Sequence, residues 1–379
     1  MTQTLVIVLG AVLIAVVLHD AFEAIVLPQT VVRRLRIARL FYVWSWRLWT
    51  ALAVLFAAPK RRQRFLSVFG PLSVLLLFAF WAGSLILGFA LIQWGLGSRL
   101  DLVHGVANFG VDLYMSGTTF FTLGLGDVTP VSTPARVLTV VEAGVGFGFL
   151  AAVIAYLPVL YQSFSRRELG ISLLDARAGS PPTAEVLLRR LGGDHASFHT
   201  LLVEWERWAA ELMETHLSYP TLAYYRSQHQ NQSWLAALTT ILDASALSMV
   251  SFEGALARQA RLTFAIARHA AVDLAQVFQA TPEIPAVDRL TPEGLARMRA
   301  SLAQAKVQLR ADEHADTELA ELRRFYEPYL EALGRRFRFP VPPFSPASER
   351  KDNWKTSAWA DAPGAPRGTP RALEPHEDG

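Results

Sequence analysis

Ser116 to Pro130 reads S-G-T-T-F-F-T-L-G-L-G-D-V-T-P. Glycine stands at alternate positions, Gly124 and Gly126, and an acid, Asp127, follows at once. Before this stretch, Phe65 to Ser98 carries no charge; after it, Val137 to Ser165 carries only Glu142. About 20 apolar residues span a bilayer, so both flanks are long enough to cross. Arg99 to Arg136 between them is too polar and glycine-rich to cross, which leaves it on one face of the membrane or dipping into it.

The rest of the chain agrees with a membrane setting. With 52% hydrophobic and 18% charged residues, the 379-residue chain has charge-free runs that water would not tolerate on a surface. Cysteine is absent, which excludes disulfides, thiolate metal sites and cysteine nucleophiles. The net charge of +3 is small, but the basic residues cluster beside the apolar runs. There they meet anionic phospholipid or set topology, and a nucleic-acid surface is not expected. Met1 to Leu18 is uncharged, and only His19, Asp20 and Glu23 interrupt the apolar character up to Leu27. Without basic residues ahead of it or a small-residue cleavage site after it, this run reads as an uncleaved transmembrane helix.

Leu40 to Pro59 has spanning length but holds Arg47 near its middle and is crowded with Tyr42, Trp44, Trp46 and Trp49. Arg33, Arg34, Arg36 and Arg39 flank one side, and Lys60, Arg61, Arg62 and Arg64 the other. A crossing would put one basic cluster outside, so the positive-inside rule predicts a cytoplasmic helix lying in the interface, an external N-terminus and three true spans; four spans is the alternative. After Arg166 and Arg167 the composition becomes that of a water-soluble helical domain. Thr291, Pro292 and Glu293 make a helix start, and Leu295, Met298, Leu302 and Leu309 share one helical face. Trp234 to Val250 contains Asp243 and reads as a buried helix of that domain. From Phe339 the Pro, Ser and Gly content predicts a disordered tail. The expected organisation is thus 1–64 (a transmembrane helix and a basic, aromatic interfacial helix), 65–165 (span, loop, span), 166–338 (cytoplasmic helical domain) and 339–379 (tail).

The pattern Thr119-x-x-Thr122-x-Gly124-x-Gly126-Asp127 resembles the filter motif of potassium channels, T-x-x-T-x-G-(Tyr/Phe/Leu)-G-D. A short helix, Asn108 to Phe121, precedes it between two long spans, as in the bacterial relatives of simple and two-pore-domain potassium channels. The resemblance covers residues 65 to 165. It implies an all-α integral membrane protein with an outer helix, pore helix, filter and inner helix, here with an extra N-terminal span and a cytoplasmic helical domain. It further implies passive K⁺ conduction, a multi-pass place in the cell membrane, and K⁺ bound at Thr122, Leu123, Gly124 and Leu125, with Gly126 and Asp127 completing the filter and Thr118 and Thr119 supporting it. K⁺ is the permeant ion; no cofactor is expected. Leu125 departs from the commoner Tyr or Phe, and the pore helix has no tryptophan to brace it.

A dehydrated cation needs oxygen ligands, and backbone carbonyls supply them without a fixed charge in its path. An extended chain points successive carbonyls to opposite sides. Positive φ at Gly124 and Gly126 lets the carbonyls of residues 122 to 125 aim the same way, and the Thr122 hydroxyl adds an oxygen at the inner end. The C-terminal end of the pore helix adds partial negative charge. One loop supplies one wall, so a homotetramer follows. Asp127 stands at the outer mouth, bonded behind the filter or concentrating cations.

Candidate gating residues lie in the second span: Gly144, Gly146 and Gly148 as hinge or packing surface, Pro158 as a helix interruption, and Glu142 as a membrane-buried acid that regulates or braces. His19, Asp20 and Glu23 read first as a helix end whose charges reach the interface; the alternative is that Asp20 and Glu23 salt-bridge the arginines beginning at Arg33, with His19 as a pH sensor. His195 and His199 have i, i+4 spacing but no third ligand, so a metal site is not expected. Neither a dinucleotide-binding glycine pattern nor an arginine ladder is present. The helical domain binds a partner, senses a ligand or assists assembly, and the sequence names no ligand for it. The rival readings are a nonselective cation channel and a nonconducting receptor or scaffold. No catalytic constellation points to an enzyme.

Overall fold

The charge-free runs become long helices. In the computed structural model, which describes residues 2–25, 37–97, 100–102, 106–229, 231–285 and 287–346, the chain is all-α apart from one two-stranded ribbon. It divides into two compact units, Met1–Gln162 and Ser163–Gly379.

The first unit holds α1 (Thr2–Ile25), α2 (Ile37–Ala53), α3 (Pro59–Gly95), β1 (Leu100–Leu102), α4 (Phe109–Phe120), β2 (Val128–Pro130) and α5 (Thr133–Ala178) up to residue 162. Helix α1 packs along α3. A Cβ at Gly10 would lie 2.5 Å from the Gly88 carbonyl oxygen, so the approach depends on the missing side chain. Asp20, buried near the end of α1, accepts hydrogen bonds from Trp81 Nε1 of α3 and from the Ala38 amide at the start of α2, both 3.0 Å. A carboxylate there suits the positive end of α2. Arg33, Arg34 and Arg36, the alternative partners considered for Asp20 and Glu23, lie outside the described residues. His19 lies 3.8 Å from Glu23.

Among the described residues four helices are long and apolar enough to cross a membrane: α1, α3, α5 and α8 (Trp234–Ser251). Protein covers 89% of the apolar stretch of α8 but 11% of that of α5. Helix α8 is therefore the core of the second unit, and α1, α3 and α5 are the helices with faces to give to lipid. Helix α2, with 17 residues, is about 26 Å long at 1.5 Å per residue. Its inner face sets Trp46 on Phe69 and stacks Trp49 on Phe65, with ring centroids 4.8 and 4.3 Å apart.

The second unit comprises the rest of α5 with α6 (Ala184–Leu191), α7 (His195–Ser218), α8, α9 (Gly254–Val277), α10 (Pro292–Gln304), α11 (Glu313–Arg324) and α12 (Glu327–Phe337). Thr183, Asp194, Ser233, Thr291 and Asp312 each cap a helix start by accepting a backbone amide. Such caps contribute about 1 kcal/mol each. Leu295, Met298 and Leu302 are buried on one face of α10 as expected. Leu309 does not join them, because α10 ends at Gln304 and Lys306 turns the chain with φ of 62°. Helices α7 and α8 pack on α9 around the fully buried Trp234.

Three expected boundaries move. Residues 339–346 are part of the fold: Phe339 and Phe344 are buried, and the Phe344 and Pro342 carbonyls accept from the Glu185 amide and the Arg289 guanidinium. Two aromatic anchors outweigh the prolines. The remainder of the expected tail, 347–379, lies outside the described residues. The boundaries drawn at residues 64 and 165 fall inside α3 and α5, because Lys and Arg end a hydropathy run without ending a helix.

Candidate pore loop and its supports

Helix α4 begins where Asn108 accepts a bond from the Val111 amide (3.2 Å), and Asp112 in its first turn complements the helix dipole. At its far end the chain reverses. Thr122 has φ of 59°, Gly124 52° and Gly126 79°, so every second residue lies in the left-handed region. Gly124 and Gly126 take that region freely. Thr122 does not, and a side chain there costs roughly 1–2 kcal/mol; the sequence carried no signal of this strain.

The reversal directs the backbone. The Leu123 and Gly124 amides both donate to the Thr118 carbonyl oxygen, at 2.7 and 3.3 Å, and the Thr122 amide to that of Thr119 at 2.9 Å. In a trans peptide the C=O points opposite to the N–H. The carbonyls of Thr122 and Leu123 therefore turn away from α4 together. Thr118 supports the loop through this carbonyl while its hydroxyl bonds back to Met115 O at 3.0 Å. The side chains of Leu123 and Leu125 are 62% and 63% exposed in the single chain, so this protomer offers them no socket.

Three further supports surround the loop. Tyr114 donates from its hydroxyl to Asp127 Oδ2 at 2.9 Å, so a tyrosine braces the acid where no tryptophan is available. Ser116, fully buried, places its hydroxyl against Glu142 Oε1 of α5 and 2.8 Å from the Ile86 carbonyl of α3. Glu142 is thus a brace joining α3, α4 and α5 behind the loop, and its second oxygen, Oε2, is buried with no hydrogen-bond partner among the described residues. Gln93 of α3, also buried, donates to Thr139 Oγ1 (3.1 Å) and Ala135 O (3.3 Å) of α5. Flanking the loop, β1 and β2 pair antiparallel, Asp101 opposite Thr129. Neither Tyr114, Ser116 nor Gln93 stood out in the sequence, since a lone polar residue on an apolar helix gives no periodic signal.

The glycines of α5 divide by role. A Cβ at Gly146 would lie 2.0 Å from the Phe120 carbonyl oxygen, whereas Gly144 and Gly148 have open space. Gly146 lets α5 close on the end of α4. Helix α5 runs on through Pro158 to Ala178. His195 rests its ring on Phe252, with centroids 5.0 Å apart, and among the described residues no cluster of His, Asp and Glu could hold a metal.

In the second unit Arg167 is buried. Its guanidinium donates to the Leu222 and Tyr225 carbonyls at 2.8 and 3.0 Å, pairs with Glu168 at 2.8 Å, and lies 3.2 Å from His216 Nε2. His216 Nδ1 is 2.8 Å from the Leu212 carbonyl. A carbonyl can only accept, so Nδ1 carries the proton and Nε2 accepts from Arg167. Burial first, and then the Arg167 charge, hold His216 well below the ordinary histidine value.

A family described as "Ion channel" matches residues 71–162, from within α3 through the loop into α5. The chain is 29% identical over 175 residues to the uncharacterized membrane protein YdjJ of Bacillus subtilis (strain 168), covering 45% of this chain. The chain spans about half of that relative, 51% of its length. No solved structure matches the chain. The chain thus carries, over residues 71–162, a segment similar to an ion channel domain, beside several helices long and apolar enough to cross a membrane.

Proposed function

We propose that the protein conducts K⁺ passively across the cell membrane as a homotetramer, with Thr122 to Asp127 as its selectivity filter. The observation that carries this reading is the shared anchoring of the Leu123 and Gly124 amides on Thr118 O, which turns consecutive carbonyls to one side. Four copies of that edge around an axis would replace the hydration shell of a monovalent cation, the ion resting at the carbonyls of Thr122, Leu123, Gly124 and Leu125. A single loop cannot surround an ion, which is why four chains are required. The exposed Leu123 and Leu125 side chains suit packing against neighbouring protomers.

In this reading the N-terminus is external and the second unit is a cytoplasmic domain. That domain governs opening rather than permeation, because α5 leads from the pore directly into it. Gly144 and Gly148, on the open side of α5, are the gating candidates; Gly146 and Glu142 hold the pore helix.

Reversal potentials of the purified, reconstituted protein in mixed K⁺ and Na⁺ test the proposal. A reversal potential near that of K⁺ is expected. One near zero would identify a nonselective cation channel, the rival that Leu125 makes possible. No flux in any ion would leave a receptor or scaffold.

A further inference from the structure

We propose that the outward face of α2, the connection after it and the first turn of α3 form a docking surface for anionic phospholipid. This inference stands apart from conduction: it concerns the N-terminal hairpin and holds whether or not the pore passes ions.

Helix α2 is apolar on two sides. Its inner side, with Trp46, Trp49 and Ala53, packs on α3. Its other side exposes Leu40, Trp44, Leu48 and Leu52, and the exposed stripe continues into Val54 and Leu55, which are 73% and 79% accessible. Burying such a stripe yields about 25 cal/mol per Å², and nothing in the chain covers it among the described residues. Arg47 lies over the Trp44 ring, 5.6 Å from its centroid, placing a cation at the edge of the stripe as a side chain reaching toward headgroups would.

The charge pattern selects the lipid. Between Glu23 and Asp101 the chain has no acidic residue at all. Lys60, Arg61, Arg62 and Arg64 are all exposed, and among the described residues none of them is ion-paired. Their position does not serve the helix: α3 has no acid in its first turn and Ala58 supplies no side-chain cap, while cations near a helix start oppose its dipole. An unpaired cationic cluster beside an apolar ridge is complementary to anionic headgroups above acyl chains. A soluble polyanion would neutralise the cluster but leave the ridge in water, which favours a bilayer lipid over an acidic protein.

The test is selective retention by the full chain. Protein in detergent is equilibrated with equal amounts of phosphatidylcholine and phosphatidylglycerol, separated from free lipid, and its retained lipid counted by mass spectrometry. Wild type is expected to retain phosphatidylglycerol about tenfold over phosphatidylcholine. The variant Lys60→Gln/Arg61→Gln/Arg62→Gln/Arg64→Gln should fall to near parity, while Arg258→Gln/Arg261→Gln/Arg297→Gln, exposed cations of the second unit, should keep the preference. Should the fourfold variant fail to fold, wild type in about 1 M salt reads the same term, because the screening length shrinks to about 3 Å and the preference should vanish. Parity in wild type, a preference that survives the fourfold substitution, or one that resists salt would each overturn the proposal. So would loss of the preference on adding an acidic peptide that wild type binds equally well without lipid, which would mean a protein partner.

Discussion

The Tyr114 hydroxyl donates a 2.9 Å hydrogen bond to Asp127 Oδ2, tying the pore helix to the residue that follows the last glycine of the loop. Thirteen residues separate the two in sequence, and everything between them is the reversal that aims the carbonyls. Tyr114→Phe removes the bond and keeps the ring. Sustained open probability should therefore fall while assembly is retained. Single-channel recording of Tyr114→Phe reads this; unchanged open probability would remove the brace from the account.

Gly146 and Gly148 should behave differently although they are two residues apart. A methyl group at Gly146 meets the Phe120 carbonyl oxygen at 2.0 Å, so Gly146→Ala must push α4 or α5 aside. Overpacking of this kind costs about 1–3 kcal/mol, and the expected result is poor assembly or lost conduction. Gly148→Ala meets nothing and should assemble normally, changing gating at most. Size-exclusion profiles of the two variants compare them directly.

The sequence made the loop, the long apolar helices α1, α3 and α5 and the helical second unit legible, because charge-free runs and the alternate glycines are local signals. It did not disclose what depends on contacts between distant segments. Asp20 meets Trp81, Ser116 meets Glu142, and Tyr326 Oη donates to Asp243 Oδ1 at 2.7 Å across 83 positions. The left-handed Thr122 was equally hidden, since any residue other than glycine predicts negative φ. Phe339 to Phe344 read as tail because prolines dominate the composition, while the pockets that receive the two aromatics are built by residues far upstream.

Asp243 sits at the centre of the second unit, paired with Arg289 and bonded to Tyr326. Arg289 also pairs with Glu327 at 3.1 Å and donates to Pro342 O, so the network holds the 339–346 segment in place. Asp243→Ala leaves the Tyr326 phenol without its acceptor and the Arg289 guanidinium with only Glu327 and Pro342 O, a loss of about 1–3 kcal/mol. Limited proteolysis should cut the second unit of this variant much sooner than wild type, with Phe339 to Phe344 released first.

His216 predicts a pH dependence with a definite sign. The unfolded chain takes up a proton near the ordinary value of 6.5, whereas the folded chain resists it until well below that. Stability is therefore full above about pH 6.5 and falls as the pH drops further, by up to about 1.4 kcal/mol per pH unit. Glutamine can accept from Arg167 and donate to Leu212 O without titrating, so His216→Gln should flatten this decline. Thermal unfolding of both proteins between pH 8 and pH 5 gives the comparison; parallel curves would contradict it.

In the proposed filter, residues 122–127 present carbonyls to a permeant K⁺ because Gly124 and Gly126 hold positive φ of 52° and 79°. Alanine resists that region by roughly 1–2 kcal/mol per residue, and fourfold assembly repeats the strain in every protomer. The decisive measurement is K⁺ flux through reconstituted Gly124→Ala and Gly126→Ala protein that still runs as the wild-type oligomer. The account predicts loss of K⁺ conduction in both, while Leu125→Tyr retains it; assembled Gly124→Ala and Gly126→Ala channels that both conduct K⁺ at the wild-type level would show that this loop is not the filter.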